Sequence, residues 1–101
     1  MSVNVESTAG GDVTIKITDK FDFSLHRIFR DAYKDCKSSG ATFSVDLSGA
    51  EYMDSSALGM LLLLREHAEL LGGDVVITRP SESVKKVLTV ANFDRLFTIK
   101  A

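Results

Sequence analysis

The sequence predicts an α/β domain: a mixed β-sheet with three helices, in the order β-β-α-β-α-β-α-β. Three observations carry this expectation. Val13 to Thr18 alternates β-branched apolar and polar residues, the period of a half-buried strand. Ala57, Leu61, Leu64, Ala68 and Leu71 recur at helical spacing as one core stripe. Asp74-Val75-Val76-Ile77-Thr78 is a near-continuous apolar run of the kind a central strand shows. Strands alternating with helices imply parallel pairs joined by right-handed crossovers. At 101 residues the chain reads as a single domain over 1–101, long enough to bury one core without staples.

The elements follow in order. Val3 to Ser7 alternates weakly and is expected as a short edge strand. Ala9-Gly10-Gly11-Asp12 is a hairpin-type turn signal, so the first two strands are expected to pair antiparallel. Asp19-Lys20-Phe21-Asp22 breaks the alternation. Asp22 or Ser24 then caps a helix expected to run to about Ser38. Leu25, Phe29, Ala32 and Cys36 form its apolar stripe, with Ile28 and Tyr33 flanking. Ser38-Ser39-Gly40 stops it. The alternation of Phe43, Val45 and Leu47 predicts a third strand over Thr42 to Leu47, with Ser48 to Met53 as a connection. A helix from Ser55 to Leu71 is ended by Gly72-Gly73, and a fourth strand spans Asp74 to Thr78. Arg79-Pro80-Ser81 stops that strand, and Ser81 is the expected cap of a third helix reaching Val90. Asn92 to Arg95 turns into a last strand over Leu96 to Ile99.

Composition removes several function classes. The chain is 45% hydrophobic and 26% charged, an ordinary globular balance, with a formal net charge of −2. It has no basic run, so the electrostatic footprint of a nucleic-acid binder is missing. The longest strictly apolar run, Met60 to Leu64, is far short of a membrane span. The polar start and the single cysteine, Cys36, lead us to expect a cytoplasmic protein without a disulfide. His26 and His67 stand alone on separate helices, and no Cys/His spacing suggests a metal site. No nucleophile elbow or phosphate loop is present. Asp46 and Asp54, at the end of one strand, are the nearest approach to a carboxylate pair. We expect no catalytic residue and no cofactor.

The informative stretch is Asp54-Ser55-Ser56-Ala57-Leu58-Gly59. Asp54 is an N-cap candidate, which leaves Ser55, Ser56 and Ala57 in the first helical turn. Backbone N–H groups are unpartnered there and the helix dipole is positive, so the fold tolerates a phosphate at this point. The same phosphate would add about −1.5 to −2 charges beside Leu58 and Gly59. On the helical wheel Ser55, Leu58, Gly59 and Leu62 lie off the core stripe. Gly59 costs about 1 kcal/mol inside a helix relative to alanine. These residues read as a docking surface, or as a face covered by a neighbouring helix.

Val45-Asp46-Leu47-Ser48 followed by Tyr52-Met53-Asp54-Ser55-Ser56-Ala57-Leu58-Gly59 resembles the STAS domain of bacterial anti-sigma factor antagonists. The order of segments agrees over the whole chain, including Asn92-Phe93-Asp94-Arg95-Leu96-Phe97 before the last strand. The resemblance implies partner switching. A serine kinase that is also the anti-sigma-type partner binds the unphosphorylated form. Phosphorylation releases it, and a PP2C-type phosphatase restores binding. It places the phosphoacceptor at Ser56, with Ser55 as the alternative. It adds Asp22, where the family often has an acidic residue at the partner surface, so that the expected partner contacts are Asp22, Asp54, Ser55, Leu58, Gly59 and Leu62. The family commonly carries glycine where this chain has Ala57. Other STAS domains serve as constitutive subunits of larger assemblies, such as a lipid-transport ABC system, which is the alternative reading.

Overall fold

The alternation of Val13, Ile15 and Ile17 becomes one apolar face of a five-stranded sheet. The computed structural model describes residues 3–8 and 10–100; Ala9, within the expected first turn, lies outside them. The strands are β1 (Val3–Ser7), β2 (Val13–Phe21), β3 (Thr42–Met53), β4 (Asp74–Thr78) and β5 (Thr98–Lys100). The helices are α1 (His26–Tyr33), α2 (Ser55–Leu70) and α3 (Glu82–Val90), with 3-10 turns at Phe23–Leu25 and Phe93–Arg95. The sheet order is β1-β2-β3-β4-β5. β1 and β2 pair antiparallel, and every later neighbour is parallel, with one helix in each crossover.

Ile15, Ile17, Phe43, Val45, Leu47 and Ile77 point to one side and are fully buried. Phe29 of α1, Leu61 and Leu64 of α2, and Val84 and Leu88 of α3 complete that core. The opposite face is polar. Asn4, Lys16, Asp46, Thr78 and Lys100 form one row across all five strands.

Four expected boundaries shift, three of them because a distant partner overrides local pattern. β2 runs through the expected break to Phe21. Asp19 adopts φ 67, and register irregularities at Lys16/Thr18 and Asp19/Lys20 absorb the misfit. β3 likewise continues through the expected connection to Met53, paired with β2 as far as Phe21↔Met53. α1 stops at Tyr33, five residues early. The Cys36 N–H turns back to the Tyr33 carbonyl at 3.0 Å, and the Cys36 carbonyl bonds His67 Nε2 at 2.9 Å. Tyr33, expected to flank the α1 stripe, is buried in it, while Ala32 and Cys36 are only half-buried. β5 starts at Thr98, because Leu96 and Phe97 still bond back to the Phe93 carbonyl.

Asp46 and Asp54 do not come together, because the strand between them is continuous. Asp46 is buried and pairs with Arg79 at 2.5 Å, while its Oδ1 accepts the Ser48 N–H at 2.9 Å. Burial opposes its ionisation, but the Ser48 backbone and side chain and Arg79 outweigh that and hold its pKa below the ordinary value. The depressed carboxylate stabilises the fold fully above its unfolded pKa of about 3.9, and this stability is lost as pH falls through the lower folded value. Urea denaturation of the wild type is therefore expected to show a steeper acid-side loss of stability below about pH 4 than Asp46→Asn. Identical slopes would remove Asp46 from the acid response.

Candidate functional site

The site forms where β2 and β3 end together. The Phe21↔Met53 pair sets Asp22 beside Asp54 at adjacent strand ends. The Asp54 N–H reaches the Phe21 carbonyl at 3.4 Å. Asp54 has extended backbone, and its Oδ1 accepts the Ala57 N–H at 3.1 Å, as expected for the N-cap. Asp22 caps the 3-10 turn before α1. It accepts the Ser24 hydroxyl at 2.5 Å and the Ser24 N–H at 3.0 Å. The Ser24 hydroxyl first, then the Ser24 N–H, hold its pKa below the ordinary value.

Ala57 is fully buried, so its methyl packs in the core. Ser55 is exposed and Ser56 half-buried, and neither hydroxyl has a hydrogen-bond partner among the described residues. Successive helical residues turn by about 100°, which sends the two serines to opposite flanks of α2. Ser55 lies with Leu58 in an open, largely apolar groove of about 500 Å³, whose far wall is Lys86, Val87 and Val90 of α3. Ser56 turns towards the α1 flank, in line with Leu63 seven residues on. Gly59 lies between them, exposed, with no atom within 4 Å of where a Cβ would stand. Leu62 is 40% exposed beyond it. Leu58 is half-buried against the core, so the covered-face reading holds for it in part.

Past the end of β4, the free side of β3 is held by α3. Ser81 is the N-cap residue of α3, as expected, but its side chain makes no cap bond and donates its hydroxyl to the Ala50 carbonyl at 2.8 Å. Ser83 donates to the Glu51 carbonyl at 3.1 Å. These two bonds replace missing sheet pairing and fix the strand that leads into Asp54. Pattern reading misses them because hydroxyls this close to a helix start look like caps. It also misses Phe23, 66% exposed on the turn after Asp22 and stacked on His26 at 5.0 Å. Periodicity counts a phenylalanine as core unless the turn geometry is known.

Residues 5–98 match the family model described as Mlab, STAS domain. The chain is 45% identical over 93 residues to the STAS-domain containing protein PA14_20770 of Pseudomonas aeruginosa (strain UCBPP-PA14), covering 92% of each chain. Among solved structures it superposes on the anti-sigma factor antagonist SpoIIAA in its unphosphorylated form. There the TM-score is 0.82 at 19% identity, with 98% of this chain and 87% of that one covered. A serine-to-glutamate variant of RsbS from Moorella thermoacetica gives a TM-score of 0.73 at 21% identity, covering 100% of this chain and 86% of that one.

Proposed function

Because this chain belongs to the STAS domain family and has the fold of anti-sigma factor antagonists, we propose that it is a non-enzymatic, cytoplasmic partner-switching regulator controlled at Ser56. The unphosphorylated form binds a serine kinase of the anti-sigma type. Phosphorylation of Ser56 releases that partner, and a PP2C-type phosphatase restores binding. The observation that carries the reading is a first-turn serine with a free hydroxyl, beside open Gly59 and capped by Asp54. A phosphate there meets unpartnered backbone N–H groups and the positive end of the α2 dipole, so the fold bears it. A docked partner does not, since it must desolvate the new charge. Asp22, Asp54, Ser55, Gly59 and Leu62 surround Ser56 as the contact surface, with Leu58 at its inner edge.

Incubation with the cognate kinase and ATP is expected to place one phosphate on the chain, mapped by mass spectrometry to Ser56 and absent from Ser56→Ala. Label on Ser55 alone moves the acceptor by one residue and towards α3. No label on any serine, with partner binding intact, supports the constitutive-subunit reading instead.

A further inference from the structure

A second groove lies on the other flank of α2, away from the helix start. Its walls are Arg30 and Tyr33 of α1, Lys34 just past that helix, and Leu63, Glu66 and Leu70 of α2, and its volume is about 440 Å³. Leu63 is 50% exposed and Leu70 81%. Seven residues apart on one helix, they stand about 10 Å from each other on the same side. That is the spacing at which a partner helix lays down two anchors.

The walls are also charged in a pattern. Arg30 and Lys34 line the α1 side of the groove, and Glu66 is the acid on its α2 side. Lys34 pairs with Asp31 at 3.1 Å, while Arg30 has no ion-pair partner among the described residues. Glu66, between the two leucines on the facing wall, also lacks one. The groove is cationic along α1, apolar along α2, and has one acid at its midpoint.

We propose that this α1–α2 groove docks an amphipathic helix of a partner protein. That helix carries two apolar anchors seven residues apart, an acidic edge facing Arg30 and Lys34, and one basic residue facing Glu66. The apolar anchors cover Leu63 and Leu70, and the charges fix direction and register. The site begins two turns beyond Ser56 and does not require Ser56 to be an acceptor.

The test is a nuclear magnetic resonance titration of the full ¹⁵N-labelled chain. The probe is a synthetic alanine-based helix of about five turns with leucines seven apart, glutamates along one edge and a lysine opposite. Shifts are expected at Arg30, Tyr33, Leu63 and Leu70. A peptide with its glutamates changed to lysine should bind about tenfold more weakly, and Arg30→Glu should remove that preference. Leu70→Asp should weaken binding about tenfold, while Val90→Asp, on the far flank of α2, should leave it within about twofold. All three residues lie at the surface, so the variants are expected to fold. No shifts at about 1 mM peptide, shifts mapping to the α2–α3 groove, or equal binding of both peptides would overturn the proposal. So would the same amides shifting when the chain alone is concentrated, because the occupant would then be a second copy.

Discussion

Ser56→Asp is expected to weaken binding of the proposed kinase partner about a hundredfold, or about 2.8 kcal/mol, while leaving the melting curve nearly unchanged. The two halves of this outcome have separate causes. In the isolated chain the new carboxylate occupies the first turn of α2, where an acid is favoured by a few tenths of a kcal/mol to about 1 kcal/mol. Its neighbours in the fold do not resist it, since Ser56 is only half-buried. In the complex the same carboxylate must shed water beside open Gly59, and an unpaired charge at an interface costs several kcal/mol. Ser56→Ala keeps the surface neutral and should bind like the wild type. Isothermal titration against the kinase, with a parallel thermal melt, measures both halves. Equal affinities for Ser56→Asp and wild type would remove the switch.

Gly73→Ala is expected to be the most damaging small substitution in the chain, costing about 3 kcal/mol or more. A Cβ on Gly73 would stand in the space of the Ala41 carbonyl oxygen, with the Ala41 carbonyl carbon 2.8 Å away. Backbone cannot swing aside as a flexible side chain can. Here it is pinned twice, because Gly40 N–H bonds the Leu71 carbonyl at 2.7 Å and Asp74 N–H bonds the Ala41 carbonyl at 3.3 Å. The methyl would force the start of β3 away from the end of α2. For a domain of this size the melting temperature should fall by about 15 °C. Gly72 offers the contrast. It has φ 72 with open space around it, so Gly72→Ala should cost only about 1 kcal/mol of backbone strain. Urea denaturation of both variants ranks them, and an equal loss would mean that the β3 start yields to the methyl.

Much of the fold was legible because its cues are local and repeat. The β2 alternation and the Ala57-Leu61-Leu64-Ala68 stripe each report which side is buried, the apolar run of β4 marks a strand inside the sheet, and all three are realised. The N-cap at Asp54 was readable for the same reason: the bond from Ala57 N–H to its side chain spans three residues. The misread segments depend on distant partners. Ser48 to Met53 lacks clean alternation because its pairing is with β2 on one side and with hydroxyls of α3 on the other. The early end of α1 rests on His67, thirty-one residues from the carbonyl it bonds.

Sequence alone determined the element order, the core stripes, the capped serine pair at the start of α2, and the resemblance to STAS domains. Only the tertiary structure decided which flank each serine faces, because that depends on where α1 and α3 sit around α2. It also decided that Gly73 is a steric necessity and Gly72 a conformational one, though the two are adjacent and identical. A helical wheel fixes angles about one axis, whereas burial and close approach depend on what the rest of the chain places beside that axis.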